Sequence, residues 1–142
     1  METILNKAKS LINEINTDKT ISSFQRNHSF HKRTEESNRI LSKYPDRVPV
    51  IVEKDPRCKD IPDIDRKKYL VPDDLSMANF MYVVRKRIKL SPEKSLYLFV
   101  DGNNMVPASQ LVKNVYQEYS SSDNFLYIIY AGESTFGKIF NI

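Results

Sequence analysis

The sequence predicts an α+β domain in which a small four-stranded mixed sheet packs on one main helix. Two observations favour this class. Four short runs rich in β-branched and aromatic residues are bounded by proline, glycine or serine, as strands commonly are. Between the second and third of these runs, residues 77–88 place apolar side chains at steps of three and four, which is typical of an amphipathic helix.

The N-terminal part of the chain predicts two further helices. Residues 1–23 form a segment of their own, and their apolar residues recur with helical spacing: Ile4, Leu5, Ala8, Leu11, Ile12 and Ile15. A second helix is predicted from about Ser29 to Lys43, with the Ser29 side chain as its N-terminal cap and Pro45 beyond its end.

The first two strands and the main helix follow in order. Residues 48–52 are a β-branched run, and residues 67–71 are predicted to pair with them in the antiparallel sense. The lysines and the following proline of the second run favour an edge strand, because they discourage further pairing. Ser76 is predicted to cap the main helix.

The second half of the domain completes the order. Residues 96–100 are predicted as the third strand, a short helix as running from Pro107 to about Glu118, and residues 125–130 as the last strand. Strand, strand, helix, strand, short helix, strand is the order of the ubiquitin-like β-grasp fold, here preceded by N-terminal helices.

The C-terminal residues, 132–142, show no periodicity and too few apolar side chains to predict a packed element. A strand in the core would therefore release a flexible arm with Gly137 near its tip. Glycine lacks a side chain, so such an arm could thread a narrow enzyme channel and present its carbonyl to a nucleophile. A frayed terminus is the alternative that these residues leave open.

Composition excludes several classes of protein. No apolar run approaches the roughly 20 residues needed to span a bilayer, and the N-terminus lacks the order of a signal peptide. The lone cysteine, Cys58, fits a reducing compartment and is predicted to be an exposed surface thiol, so a cytoplasmic location is expected. His28 and His31 have no further ligand candidates near them, and we expect no metal and no cofactor.

Neither catalysis nor nucleic-acid binding is favoured by the side chains. No nucleophile–base pair is evident, so the chain is not expected to be an enzyme. The net charge of +4 is mild, and the basic residues are interspersed with acidic ones, without an aromatic platform for stacking bases. A basic module that binds RNA or an acidic cytoskeletal tail is therefore disfavoured.

Several segments go beyond these patterns. They are Lys32-Arg33, Glu36-Ser37, Arg39-Ile40, Arg47-Val48-Pro49-Val50-Ile51, Asp60-Ile61-Pro62-Asp63-Ile64-Asp65, Lys68-Tyr69-Leu70-Val71-Pro72, Arg85-Lys86-Arg87-Ile88, Ser91-Pro92-Glu93-Lys94, Tyr116-Gln117-Glu118 and Thr135-Phe136-Gly137. From about Phe24 to Gly137, the chain strongly resembles the autophagy ubiquitin-like modifiers of the GABARAP type. The chain would then comprise an N-terminal extension (1–23), a ubiquitin-like domain with an N-terminal helical subdomain (24–131) and an arm (132–142).

The resemblance implies processing and lipid attachment. A dedicated cysteine protease would cut after Gly137, with Phe136 as an anchor, and remove residues 138–142. Activating and conjugating enzymes would then join Gly137 to phosphatidylethanolamine, and the cytoplasmic protein would become a label on autophagosomal membranes.

The resemblance also implies that receptors and adaptors bind through short linear motifs, in which an aromatic residue is followed three positions later by an aliphatic one. The implied aromatic pocket consists of Glu36, Ile40, Pro49, Ile51, Lys68, Leu70 and Phe125. The implied aliphatic pocket consists of Tyr69, Val71, Pro72, Leu75, Phe80 and Val83. The cations Arg47, Lys67, Lys68 and Arg87 would meet acidic residues beside the motif.

Two alternatives remain open from the sequence. Without the resemblance, Ile51, Leu70 and Phe80 would be interpreted as ordinary core residues, and the chain could be a β-grasp peptide-binding adaptor in vesicle trafficking that is never conjugated. The extension at 1–23 could lie on a membrane, pack over a groove of its own domain or remain an exposed tail. A monomer is the default expectation.

Overall fold

The computed structural model describes residues 22–139 of the chain. The helix predicted from the apolar spacing of residues 4–15, and the last residues of the arm, 140–142, lie outside the described residues. In chain order, the described elements are α1 Ser23–Asn27, α2 Phe30–Lys43, β1 Arg47–Lys54, β2 Lys68–Pro72, α3 Met77–Arg87, β3 Tyr97–Val100, α4 Val112–Tyr119, β4 Leu126–Ala131 and α5 Glu133–Ile139.

The strands form one four-stranded sheet in the order β2-β1-β4-β3. β1 pairs antiparallel with β2 and parallel with β4, while β3 pairs antiparallel with β4. The predicted four-stranded mixed sheet is therefore confirmed, and β2 is an edge strand as its lysines and proline indicated.

Both faces of the sheet are covered, so the two central strands are deeply buried. Val50 and Val52 of β1 join the larger core cluster with α3 and α4, which includes Phe80 and Val112. Ile51, which points to the other face, joins a smaller cluster with α1, α2 and the residue before β4, formed by Phe24, Ile40, Ile51 and Phe125. The alternation of side chains along β1 thus assigns its residues to two different cores.

Serine side chains fix the starts of the two longer helices. Ser29 Oγ accepts a hydrogen bond from the Lys32 amide at 3.2 Å, and Ser76 Oγ accepts one from the Asn79 amide at 3.1 Å. Both predicted caps are confirmed, because each oxygen satisfies an amide that has no partner within its helix. The sequence did not predict α1 as a separate helix, although Ser22 caps it in the same way.

The prediction that Pro107 opens the short helix is wrong, because α4 begins at Val112. The residues before it form a turn, in which the Gln110 amide donates to the Pro107 carbonyl at 3.1 Å, and they are hydrogen-bonded to the start of α3. The Met77 amide donates to the Gln110 carbonyl, and the Val112 amide donates to the Leu75 carbonyl, each at 2.8 Å. These tertiary bonds override the preference of proline for a first helical turn.

The expectation that the arm forms no packed element is wrong for its described part. Residues 133–139 form α5, and Thr135 within it is only 2% exposed. Cys58 was predicted to be an exposed thiol, yet it is 1% exposed, because the loop between β1 and β2 folds its sulfur under Gly132 at the start of the arm.

Candidate functional site

The outer edge of β2 offers main-chain groups to a further strand. The Val52 amide donates to the Lys67 carbonyl at 2.7 Å, and in an antiparallel pair the bonded residues alternate with residues whose main-chain groups point outward. By this register, the N–H and C=O groups of Lys68 and Leu70 point away from β1. The Arg47 guanidinium reaches around the edge and donates to the Leu70 carbonyl at 3.1 Å.

A cavity of about 370 Å³ lies between α2 and this edge strand. Four of the residues that the resemblance assigned to an aromatic pocket line it: Glu36, Ile40, Lys68 and Leu70. The Lys68 ammonium donates to the Glu36 carboxylate and so links the strand to the helix beside the cavity. A partly apolar cleft next to the outward-pointing main-chain groups of β2 suits a side chain carried by an added strand.

Three of the residues assigned to the aromatic pocket lie behind the residues that line the cavity. Ile51 and Phe125 have no exposed area, and they form the buried cluster against which Leu70 and Tyr44 pack. Pro49 is buried opposite Leu70 in the register of the sheet. We conclude that these three residues shape the cavity from behind.

Three lining residues were missed at the sequence level: Arg39, Lys43 and Tyr44. Arg39 and Lys43 follow Glu36 at helical spacings of three and seven, so the face of α2 that carries Glu36 and Ile40 also carries them. That periodicity could have found both residues. Tyr44 lies just after the end of α2, where the direction of a side chain is not set by helical spacing.

Of the residues assigned to the aliphatic pocket, Tyr69 and Val71 lie on the face of β2 that packs against α3, the helix that carries Phe80 and Val83. Tyr69 packs edge to face on Phe80, with ring centroids 6.2 Å apart. Val71 and Phe80 are almost fully buried in the larger core, and Pro72 and Leu75 are half-buried. Val83 remains 40% exposed on α3. Core residues therefore form the base of this region, and the more exposed members form its surface.

The remaining cations assigned to the site already have partners. The Lys67 ammonium lies 3.2 Å from the Glu53 carboxylate, and Arg87 Nε donates to Asp65 at 2.8 Å. The bonds from Arg87 hold the pKa of the Asp65 carboxyl below its usual range. An acidic ligand would therefore compete with carboxylates of the protein itself for these two cations.

The arm carries the other assigned residues at the far end of the sheet. Phe136 lies in α5 with its ring stacked on that of Tyr97, at a centroid distance of 4.2 Å. Gly137 follows it within the same helix and is half-buried. Phe136 and Gly137 are thus well separated from the β2 edge.

Two further findings concern the part of the chain that the structure describes. Residues 22–139 contain no group of three or more histidine, cysteine, aspartate or glutamate side chains placed to hold a metal ion. None of the helices in that range combines the length and the apolar character needed to cross a bilayer.

Comparison with known proteins identifies relatives of this chain. The profile of a family described as "Autophagy protein Atg8 ubiquitin like" matches residues 32–137. Autophagy-related protein 8d of Arabidopsis thaliana is 54% identical over 120 residues, which cover 84% of this chain and 98% of that protein. Autophagy-related protein 8 of Mycosarcoma maydis is 54% identical over 119 residues, covering 83% and 98% respectively.

A solved structure agrees with the sequence relatives. The crystal structure of Trypanosoma brucei ATG8 superimposes with a TM-score of 0.74 at 36% identity, and the match covers 79% of this chain and 95% of that one. The mixed sheet and its covering helices, together with these matches, define a ubiquitin-like protein. More particularly, the chain belongs to the Atg8 family of autophagy proteins, as the resemblance indicated.

Proposed function

We propose that this protein is a conjugated label of autophagosomal membranes. A cysteine protease hydrolyses the peptide bond after Gly137 and releases residues 138–142, and the new carboxylate is then joined to the amine of phosphatidylethanolamine. The observation that carries this proposal is the extent of the family match, which ends at Gly137 at the close of the Thr135-Phe136-Gly137 motif.

The chemistry of attachment is supplied by other proteins. An activating enzyme adenylates the Gly137 carboxylate with ATP, and the acyl group passes through cysteine thioesters to the lipid amine, where an amide forms. The chain acts as a substrate and contributes a C-terminal residue without a side chain, so that approach to its carbonyl carbon is unhindered. Phe136 would anchor the arm in the cleft of the protease.

The attached protein recruits receptors and adaptors through the edge of β2. An extended ligand adds to the main-chain groups of Lys68 and Leu70 and places an aromatic side chain in the cavity beside α2. Three positions later, an aliphatic side chain meets the region between β2 and α3. Arg47, Lys67 and Arg87 attract acidic residues beside the motif, which speeds association more than it strengthens binding.

The expected affinity is micromolar. Burying one aromatic and one aliphatic side chain contributes roughly 1.5–3 kcal/mol each from apolar area. The extended ligand and the exposed lysines lose conformational entropy on binding, and this cost offsets part of the gain.

Intact mass tests the attachment directly. The protein is incubated with the family's processing protease, then with the activating and conjugating enzymes, ATP and liposomes containing phosphatidylethanolamine. Wild type should lose the mass of residues 138–142 and then gain one lipid. Gly137→Ala should be neither cleaved nor lipidated, whereas Asn141→Ala, which alters only the released tail, should behave as wild type. Unchanged wild-type mass, with enzymes active on another family member, would leave a peptide-binding adaptor that is never conjugated.

Calorimetric titration tests the recruitment. A synthetic peptide with acidic residues followed by an aromatic-x-x-aliphatic motif should bind wild type. Leu70→Ala should weaken binding about tenfold, because it removes apolar surface from the cavity wall. Met105→Ala is the matched control, because Met105 is 47% exposed in the loop after β3 and does not line the cavity. Equal affinities of the Leu70→Ala variant and wild type would contradict the assigned pocket.

A further inference from the structure

Two neighbouring cavities lie beside the start of α1. Their volumes are about 290 and 350 Å³, and both are lined by Ser22, Pro56 and Ile129. Because they share these three residues, we treat them as one depression and call it the trough. Ile129 lies two positions after Tyr127 on β4 and so points to the same face of the sheet, where it is half-buried. The trough therefore has an apolar side chain of the sheet at its floor.

The charges around the larger cavity are already paired within the domain. The Lys67 ammonium lies 3.2 Å from the Glu53 carboxylate, and the Lys54 ammonium lies 3.0 Å from that of Asp63. These four charges largely neutralise one another, so the larger cavity offers little net charge to a ligand.

The smaller cavity has an acidic rim. Asp55 and Arg57 border it and pair with each other at 2.8 Å. Beyond this pair, the rim carries Asp101, in the turn after β3, and Glu118, which is exposed near the end of α4. The Tyr119 ring adds apolar surface beside them. A ligand with an apolar face and flanking cations would complement this cavity.

The N-terminal extension has this combination of side chains. At about 100° per residue, a helix brings six apolar residues to one face: Ile4, Leu5, Ala8, Leu11, Ile12 and Ile15. Lys7 and Lys9 then flank that face, one on either side. The sequence thus supplies the apolar surface and the positive charge that the smaller cavity lacks.

The extension is also joined to the domain at the trough itself. Ser22, to which residue 21 is bonded, lines both cavities and is 6% exposed. Residues 16–21 separate Ile15 from it, and connections of about two to eight residues commonly join packed helices. A short tether raises the effective concentration of the extension to the millimolar range, so a weak contact is enough for binding.

We propose that residues 4–15 bind the trough of their own domain, with their apolar face on Ile129 and their lysines toward the acidic rim. A helix of this length is marginal in water by its own hydrogen bonds, and burial of its apolar face would stabilise it. This interaction is separate from the proposed lipid attachment and receptor recruitment, and it depends on neither.

Paramagnetic broadening in the full chain measures the docking. A nitroxide label on Ser10→Cys lies opposite the apolar face, so it leaves that face unchanged. Cys58 is 1% exposed and should not take up the label. The amide signals of Gly102 and Ser121, which line the trough, should be broadened, whereas that of Val83 on α3 should keep its width.

A charge on the apolar face should release the extension. We expect Leu11→Asp to lower the docking equilibrium constant about tenfold, the effect of losing one buried leucine side chain. Asn6→Asp is the matched control, because it adds the same charge on the opposite face and should keep the broadening of the unsubstituted labelled chain. Both positions lie in the extension, so the sequence of the folded domain is unchanged.

A charge reversal at the rim tests the other partner. Glu118→Lys should lower the docking constant about two- to fivefold, as expected for exposed charges. Glu93→Lys makes the same change at an exposed position before β3 that does not line the trough, and it should leave the broadening unchanged.

Three outcomes would overturn the proposal. The first is equal broadening of the Gly102 and Ser121 signals with and without Leu11→Asp. The second is broadening that fades on dilution, which would show that the extension of a second copy occupies the trough. The third is the absence of broadening while the chain sediments with phosphatidylcholine–phosphatidylethanolamine vesicles and Leu11→Asp does not, which would make the extension a membrane-binding helix instead. Since none of these measurements requires cleavage or conjugation, their failure is distinct from failure of the proposed function.

Discussion

Glu53 is a buried carboxylate that joins three parts of the chain. It lies near the C-terminal end of β1 and is 7% exposed. Its carboxylate accepts hydrogen bonds from the hydroxyls of Ser22 and Ser23 and from the Lys67 ammonium. Burial raises the pKa of Glu53, but the hydrogen bonds and the positive charge of Lys67 outweigh it, so its pKa lies below the usual value. The charged form therefore stabilises the attachment of α1 to the sheet.

Acidification should remove this stabilisation. Because the pKa is lower in the folded state than in the unfolded chain, the contribution is present above the unfolded pKa and is lost as pH falls through the folded one. We expect Glu53→Gln to lower the free energy of unfolding by about 1–2 kcal/mol at pH 7, and the difference from wild type to shrink below about pH 4. Urea titrations at several pH values measure this. A difference that stays constant with pH would contradict the role of the charge.

At the scale of elements, α2 is tied to the sheet through Asp123. This side chain has no exposed area, and it accepts hydrogen bonds from Arg33 Nε at 2.8 Å, the Tyr127 hydroxyl at 2.5 Å and the Phe125 amide at 3.0 Å. Burial, followed by the hydrogen bond to Asp123, raises the pKa of Tyr127, which keeps its hydroxyl a donor at neutral pH. The helix that forms one wall of the cavity is thereby fixed to the start of β4.

Asp123→Asn should loosen this attachment. It leaves the Arg33 guanidinium, whose side chain is 12% exposed, without its carboxylate, and we expect the free energy of unfolding to fall by about 3 kcal/mol. Peptide affinity should fall as well, because the wall that α2 contributes is no longer held. Glu35→Gln is the control on the same helix, since Glu35 is 75% exposed, and it should change the unfolding free energy by less than about 0.5 kcal/mol. Urea unfolding and peptide titration together check both effects.

Sequence reasoning found the elements whose signals are local and missed those that depend on distant contacts. Ser29 and Ser76 were predicted as caps, because a serine before an apolar periodicity satisfies nearby amides. The start of α4 was misplaced, because the bonds that delay it come from residues at the start of α3. α5 was missed because the contacts that hold it are remote in sequence: Phe136 stacks on Tyr97, and the Gly132 amide just before the helix donates to Cys58 in the loop between β1 and β2.

The same distinction applies to the candidate site. Alternation along β2 separates Lys68 and Leu70, which line the cavity, from Tyr69 and Val71, which face α3. The degree of burial of each residue is harder to predict from the sequence. Ile51, for example, is buried only because α1 and α2 cover its face of the sheet. Whether these residues bind a peptide remains a prediction, and the titrations above decide it.

At the scale of the whole molecule, the sheet separates the two proposed activities. The proposed peptide capture would use the outer edge of β2, whereas the arm packs on β3, at the opposite end of the order β2-β1-β4-β3. Three inter-strand spacings place these edges about 14 Å apart. The strands between them, β1 and β4, are packed on both faces.

Removal of the tail should therefore leave peptide affinity unchanged. Coupling between two sites requires an element with two states to which each ligand binds differently, and α5 contacts β3 and the β1–β2 loop rather than the cavity beside α2. We expect the dissociation constant of the motif peptide to differ by less than about twofold between the full chain and the form ending at Gly137, a coupling below about 0.4 kcal/mol. Calorimetric titration of both forms measures this, and Leu70→Ala provides the reference for a real loss of binding. A change of tenfold or more on cleavage would show that processing also switches receptor recruitment, and that the central strands transmit the state of the arm to the β2 edge.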